Sequence, residues 1–327
     1  MITFSIITPV YNREDCVSRC IESVLHQTIK NPIGGGKYEH VIVDDGSTDL
    51  TAKICKGYAD SNAVVKFLQL SHNQGTNAAR NAAIRASQGE FIIILDSDDY
   101  LVDDALEFIQ HTIESNPGYG HYMFAPDDVD YHDSFFKGCK MKELTYPDFL
   151  RGKVKTGFIH CIKADTMRKY PFDEQVRIHE GVFFLSFYKE AQKMLFTNRV
   201  VTIRERGRSD SVTLDCVRSN KALIERGTKA NEMLLERFGD DLMQYDCKSM
   251  LQYLYGYLYD NYLLLADYRK GKLLNSLFAE KYRGYVVKTN KLKILDILYA
   301  FHLGTFYRLS LQAYLWVKYK IFKHKIQ

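Results

Sequence analysis

The chain has 327 residues, 46% of them hydrophobic and 26% charged, with a net charge of +4. That length holds one large domain or two ordinary ones, and the composition is globular rather than disordered or fibrous. The charge is too mild to suggest nucleic acid, no nucleic-acid motif stands out, and seven cysteines without C-x-x-C spacing exclude a disulfide framework and a zinc site.

In chain order, the first element is a short apolar strand from Phe4 to Thr8. Pro9-Val10-Tyr11-Asn12 is expected to end it as a loop. The N-terminus lacks the charged region and apolar run of a signal peptide. A helix is predicted from about Glu14 to His26, with Val17, Ile21, Val24 and Leu25 on one face. Cys16 and Cys20 lie one turn apart on it, as small core fillers. Gly34-Gly35-Gly36 reads as an insertion before the second strand, His40 to Val43. That strand runs into Asp44-Asp45-Gly46-Ser47-Thr48-Asp49, where the two aspartates either cap the next helix or serve a ligand. A helix towards Tyr58 and a strand from Val64 to Leu70 follow. Asn73-Gln74-Gly75-Thr76 is a loop before an alanine-rich helix from Asn77 to Gln88, which Gly89 would close as its C-terminal cap.

Phe91 to Leu95 is an unbroken apolar run followed by Asp96-Ser97-Asp98-Asp99. The run reads as a strand buried on both faces. Carboxylates packed this closely repel one another, so the stretch predicts a hard divalent cation with oxygen ligands, or else a solvated acidic turn. Four strands alternating with three helices argue for a parallel α/β sheet. In such sheets ligands bind at the carboxyl ends of the strands, which is where the polar loops converge. Arg80, near the start of its helix, is placed to reach a phosphate at that helix N-terminus.

Beyond Asp103 the pattern loosens. A helix is expected over Asp104–Ser115, strands over Tyr122–Phe124, Phe158–Ile162 and Met194–Arg204, and a helix over Glu180–Gln192 with Phe183, Phe184 and Phe187 inward. From about Val217 helices take over, chiefly Leu223–Phe238, Leu242–Arg269 and Leu292–Phe322. The last carries Leu295, Tyr299, His302, Phe306, Leu309, Ala313 and Trp316 at near-heptad spacing. The tyrosine-rich stretch from Tyr253 to Tyr268 reads as core and interface. The boundary is expected near Asp215, giving domains of 1–215 and 216–327. No uncharged apolar stretch is long enough for a transmembrane helix.

Four blocks resemble family 2 glycosyltransferases with the GT-A fold. They are Ser5-Ile6-Ile7-Thr8-Pro9-Val10-Tyr11-Asn12-Arg13, Val43-Asp44-Asp45-Gly46-Ser47-Thr48-Asp49, Asn73-Gln74-Gly75 with Ala79-Arg80-Asn81, and Gly89-Glu90 with Leu95-Asp96-Ser97-Asp98-Asp99. Each block alone is weak; their order and spacing together are specific. They cover roughly the first hundred residues. The resemblance implies an α/β, Rossmann-like nucleotide-diphospho-sugar transferase domain followed by a C-terminal α-helical region. It implies an inverting enzyme of the bacterial glycan or polysaccharide type, using a nucleotide-sugar donor, most simply a UDP-sugar.

Residue by residue, Pro9, Tyr11 and Asp45 would line the nucleoside pocket, with Asp45 facing the base. Arg80 would approach the ribose or diphosphate, and Asn12 and Gly75 would also bind the donor. Asp96, Ser97 and Asp98 would form the D-x-D motif, and Asp98 or Asp99 would hold Mn²⁺ or Mg²⁺. Phe172-Asp173-Glu174 followed by His179-Glu180 matches the context of the family's base, so Glu180 is assigned that role. The family often has Asp after this Glu, and here Gly181 stands instead. The alternative is therefore a catalytically impaired nucleotide-sugar-binding or scaffold protein. The loop Arg204 to Thr213 would act as a lid or remain a plain surface loop, and His160 would touch the acceptor or be structural.

The acceptor is expected to be a glycan or a lipid-linked glycan of the cell envelope. The expected location is cytoplasmic. Lys318, Lys320, Lys323, His324 and Lys325 beside Trp316 and Tyr319 would allow peripheral contact with anionic lipid, and a homodimer is compatible with the helical third.

Overall fold

The computed structural model describes residues 3–29, 38–129, 131, 135–154, 157–174, 176, 179–205 and 221–323, with side chains placed up to residue 314. The Gly34–Gly36 insertion, the loop after Glu205 and the basic residues beyond 314 lie outside what is described, apart from the helical backbone to Lys323. The chain divides into two compact units, Met1–Phe149 with Lys153–Ser209, and Leu150–Gly152 with Asp210–Gln327.

The first unit is a sheet with helices. Strand β1 (Phe4–Val10) lies between β2 (Tyr38–Asp44) and β4 (Phe91–Ile94), and β3 (Val65–Gln69) flanks β2; all four are parallel. The crossovers are α1 (Val17–Leu25), α2 (Thr51–Ser61) and α3 (Thr76–Ala86). Ile6, Ile7, Val41, Ile42, Val43, Ile92 and Ile93 are wholly buried, because helices leave neither face of this sheet to water.

The remaining strands extend it. They are β5 (Tyr100–Leu101), β6 (His121–Pro126), β7 (Met141–Thr145), β8 (Ile159–Lys163) and β9 (Lys193–Ile203). The order is β3-β2-β1-β4-β8-β6-β9-β5, with β7 on β9, and β8 runs antiparallel to β4. The connecting helices are α4 (Ala105–Ser115), α5 (Tyr146–Leu150), α6 (Ala164–Lys169) and α7 (Gly181–Ala191). On α7, Phe183 and Phe187 are buried and Phe184 is half-buried.

Two local expectations are corrected. Pro9 does not end β1, which continues to Val10 with Pro9 opposite Val43. The carbonyl of Ile7 accepts from the Leu95 amide, so two residues on, Pro9 turns its missing N–H towards a side where β4 has already ended. Gly89 is not a helix cap, since α3 ends at Ala86 with Ser87 extended. A Cβ on Gly89 would lie 2.6 Å from the Phe4 carbonyl carbon and the Ser5 nitrogen, so glycine is needed where the chain enters β4 against β1.

The second unit is helical: α8 (Lys221–Gln244), α9 (Lys248–Leu264), α10 (Tyr268–Glu280), α11 (Asn290–Ala300) and α12 (Gly304–Lys323). Helix α9 is its centre, burying Leu251, Leu254, Leu258, Tyr259, Asn261, Leu263 and Leu264. Tyr255, Tyr259 and Tyr262 are core with their hydroxyls hydrogen-bonded, while Tyr253 is exposed. Tyr259 stacks on Tyr299 at 4.2 Å and donates to Asp296 at 2.9 Å, and Tyr262 donates to Glu232 at 2.8 Å.

The two long helices expected over Leu242–Arg269 and Leu292–Phe322 are each broken. Asp246, Ala266 and His302 take positive φ at the breaks. At Gly304 a Cβ would meet the Leu263 carbonyl oxygen at 2.1 Å, so α12 starts with its backbone pressed on the end of α9. A continuous heptad seam through His302 is therefore not formed.

Candidate active site

The loops at the carboxyl ends of β1, β2 and β4 are laced to one another. Asn12 sits at φ +50° and receives the Thr48 amide on Oδ1 at 2.9 Å, while its own amide donates to Ser47 Oγ at 2.9 Å. The Arg13 amide donates to Thr51 Oγ1 at 2.7 Å. Asp44 accepts from the Ser47 amide and from Gln69 Nε2, both at 3.1 Å. Asp45, almost fully buried, takes the amides of Gln74 at 2.7 Å and Gly75 at 2.8 Å on its two oxygens. The doubled aspartate thus serves two loops, and neither carboxylate caps α2. Gly75, at φ +99°, is the turn into α3 that Asp45 holds. Pro9 is in the sheet, and Tyr11 is exposed beside it.

The turn after β4 concentrates charge. Asp96 is exposed, Asp98 is half-buried, and Ser97 and Asp99 are buried. Cys20 Sγ donates to the Asp96 carbonyl at 3.7 Å and Cys16 Sγ to the Ser97 carbonyl at 3.8 Å, so the two thiols of α1 support the turn from beneath. Burial, with Asp96 and Asp98 alongside, pushes the Asp99 carboxyl up to about 7. Its Oδ1 accepts the Glu205 amide at 3.1 Å, and Arg204 Nε lies 4.0 Å from Oδ2. Arg19 donates to the Asp98 carbonyl at 3.2 Å and pairs with Glu205.

Arg80 joins this turn to α7. Its Nη1 donates to Glu180 Oε1 at 3.0 Å and its Nη2 to Asp96 Oδ1 at 3.2 Å. Burial disfavours the guanidinium charge, but Asp96 and Glu180 more than offset it, and its pKa is raised. Glu180 stands at the N-cap position of α7 yet makes no capping bond, so its carboxylate is committed to Arg80 and not to the helix end. His179 is held below its usual pKa by burial, against the pull of Glu180.

The segment that carries Glu180 is fixed by two buried asparagines on α3. Asn77 Nδ2 donates to the carbonyls of Asp173 at 2.9 Å and Val176 at 2.8 Å. Asn81 donates to the Phe172 carbonyl at 2.8 Å and accepts the Phe172 amide at 2.9 Å. Asn77, Arg80 and Asn81 share one face of the helix by their spacing. The architecture is that of an open α/β sheet with its polar loops at the strand ends.

The profile of glycosyl transferase family 2 matches residues 5–172. The chain belongs to glycosyltransferase family 2. It is 28% identical over 221 residues to a GalNAc(5)-diNAcBac-PP-undecaprenol β-1,3-glucosyltransferase of Campylobacter jejuni, covering 65% of this chain and 68% of that protein. Its fold is similar to residues 1–349 of S. aureus TarS in complex with UDP-GlcNAc (TM-score 0.57, 17% identity, 91% of this chain and 92% of that one). It is also similar to the mannosyltransferase PcManGT of Pyrobaculum calidifontis in complex with GDP-Man and Mn²⁺ (TM-score 0.55, 16% identity, 96% of this chain and 85% of that one). The chain is thus a glycosyltransferase with a mixed α/β, GT-A-like sheet and a helical C-terminal region.

Of the residues singled out in the sequence of this family 2 enzyme, the structure gathers Asp96, Arg80 and Glu180 into one cluster, with Ser97, Asp98 and Asp99 on the same turn. Asn12, Asp45 and Gly75 hold neighbouring loops together. Among the described residues no three His, Cys, Asp or Glu side chains are arranged as a ready cage for a metal ion. Asp99 accepts the Glu205 amide on Oδ1, while on the same turn Asp96 is exposed and Asp98 half-buried. One or two carboxylates completed by water and phosphate is the usual way Mg²⁺ is held, so this donor set fits Mn²⁺ or Mg²⁺ arriving with a diphosphate.

His160 makes the contacts of a structural residue. It stacks on Phe184 at 4.1 Å and shares a hydrogen bond with His121 at 2.9 Å, inside the sheet. The positioning role of Asn77 and Asn81 was missed from sequence. The signal available was two asparagines four apart in an alanine-rich helix, where an amide disfavours the helix unless it has a partner elsewhere.

Proposed function

We propose that this chain is an inverting, metal-assisted transferase that moves a sugar from a nucleotide-diphosphate donor, a UDP-sugar, to a hydroxyl of a glycan or lipid-linked acceptor of the cell envelope. The observation that carries the proposal is the bridge from Asp96 through Arg80 to Glu180. It sets a carboxylate at the N-terminus of α7 beside the acidic turn where a diphosphate would lie. Asp45, Asn12, Tyr11 and Pro9 frame the nucleoside end, and Gly75 brings the start of α3 to the same strand ends. Bound at Asp98 with Asp96 or Asp99, Mn²⁺ or Mg²⁺ would neutralise the charge of the departing diphosphate.

The chain's own residues do the rest. When the donor diphosphate arrives, it competes with Asp96 for Arg80, since a guanidinium forks as readily onto phosphate as onto carboxylate. Glu180 then takes the proton of the acceptor hydroxyl as that oxygen attacks the anomeric carbon from the face opposite the diphosphate. Asn77 and Asn81 keep the Phe172–Val176 segment, and Glu180 after it, in place while Arg80 changes partners. The two compact units are proposed as a donor-binding transferase domain and a helical domain that serves the acceptor.

Replacing Glu180 with Gln tests the assignment. Loss of a general base costs about 10²- to 10⁴-fold in rate. Transfer should fall by that factor, while donor binding by calorimetry stays intact and stays stronger in Mn²⁺ than in EDTA. Full turnover in that variant removes Glu180 from the role. Binding without turnover in the unmodified chain favours the impaired, binding-only protein.

A further inference from the structure

We propose that helices α11 and α12 form a docking surface for an anionic lipid bilayer. Helix α11 is apolar on two sides. Leu292 and Leu295 are buried in the second unit, while Ile294, Ile297 and Phe301 are exposed at 58%, 57% and 71%. Those three fall at i, i+3 and i+7, so they form one stripe along the outer side of the helix. The chain turns at His302, and α12 continues with Phe306, Leu309 and Tyr314, exposed at 66%, 58% and 61%. A stripe of large side chains like this is an interaction surface, since scattered single residues are the norm elsewhere.

Charge decides what covers it. Residues 297–327 contain Arg308, Lys318, Lys320, Lys323 and Lys325 and no aspartate or glutamate. Two copies of this chain joined through the surface would bring two such sets of positive charge together with nothing to neutralise them. An anionic bilayer meets the same set with complementary charge, at about 1 kcal/mol for each basic residue near the surface. Exposed aromatic and aliphatic side chains on helices whose sequence runs on into basic residues are the pattern of a segment lying in the headgroup layer. No helix among the described residues is long and apolar enough to cross a membrane, so the contact is in plane. The surface expected from the basic tail is thereby extended back to α11, through Ile294, Ile297 and Phe301, which lie outside the near-heptad set.

The test is sedimentation of the full chain with phosphatidylcholine vesicles and with vesicles of equal parts phosphatidylcholine and phosphatidylglycerol. The expected result is binding to the anionic vesicles at least about tenfold stronger than to the neutral ones. Phe301→Ser with Phe306→Ser should lose about tenfold of that binding, as should Lys318→Gln with Lys320→Gln and Lys323→Gln. Both Phe positions are exposed, so the donor-induced thermal shift of the Ser variant should match that of the unmodified chain and certify its fold. Absent or equal binding to the two vesicles overturns the proposal. So does a lipid-free dimer, seen by sedimentation velocity, that the Ser variant dissolves. Because vesicle binding needs no turnover, it fails or succeeds independently of the transferase reading.

Discussion

Among the described residues, the first unit leaves Tyr11, Leu50, Leu68 and Met141 as its exposed large apolar side chains, whereas the second leaves eleven, most of them on α10, α11 and α12. The first unit can bury both faces of its sheet, because helices cover what the strands expose. The second packs four helices around α9, and its outer helices have an inner side only. An apolar residue on the outside of α11 has no layer beyond it. Large apolar side chains therefore lie mostly inside the first unit, and many lie outside on the second.

Acid should separate the two units most strongly. In the first, burial holds the His40 and His160 imidazoles down to about 3, and holds His121 well below its usual value, with His160 beside it adding to the effect. His40 faces Thr8, while His121 and His160 face each other, Tyr188 and Phe184, with Arg204 acting on His160. All three have folded pKa values below the unfolded one near 6.5, so the unfolded chain binds more protons in acid. Their stabilisation is complete above the unfolded value and is lost as pH falls through it, by about 1.4 kcal/mol per pH unit for each histidine. Asp99, whose carboxyl is raised to about 7, works in the opposite sense and offsets about one of the three histidines over the same range. In the second unit His302 is exposed. Denaturation followed at about pH 7 and about pH 5 should change from overlapping transitions to an early one for the sheet and a later one for the helices. Transitions that move together would erase the distinction.

A pair of truncations sharpens the same contrast. Ile93 lies fully buried in β4, and Ile93→Ala should cost about 2–5 kcal/mol in urea denaturation. Phe301→Ala removes a larger side chain from an exposed position and should change stability by no more than about 0.5 kcal/mol, while still weakening vesicle binding. Equal losses at the two positions would mean that Phe301 is covered within the folded chain.

Much of the first unit could be read directly because its signals are local. Short apolar segments between polar loops named the four parallel strands, and the acidic ends of β2 and β4 named where the site lies. The role of Asp45 was not legible, because its partners, the amides of Gln74 and Gly75, lie on the next loop and leave no trace in the periodicity. The breaks at Asp246, Ala266 and His302 escaped notice for a related reason: left-handed conformations at non-glycine residues follow from packing of the flanking helices, and no turn signal announces them. The bridge from Arg80 to Glu180 spans a hundred residues of sequence, and only the fold of the intervening strands closes it.

Asn81 tests whether the buried polar groups of the first unit hold chemistry in place. Asn81→Ala leaves the Phe172 amide and carbonyl without partners, which should cost about 1–3 kcal/mol. If the asparagine positions Glu180, kcat should fall while donor affinity stays. A loss of stability with kcat unchanged would reduce Asn81 to a packing residue.

The smallest effect answers the sharpest question about the site. Gly181 opens α7, and the position of a Cβ there meets nothing within 4 Å. Gly181→Asp therefore fits without displacement, removes a glycine from the helix, and adds an acid to its first turn, where the helix dipole favours it. Stability should rise by roughly 1 kcal/mol. If Glu180 is the base, the new carboxylate is redundant and kcat should stay within about twofold, well inside the span a base commands. If the proton instead belongs at the next position, Gly181→Asp should raise the rate and should restore it in a chain already carrying Glu180→Gln. Glu180 holds the role only if that double variant remains as slow as Glu180→Gln alone, because a base tied to Arg80 cannot be replaced by a carboxylate one residue along the helix.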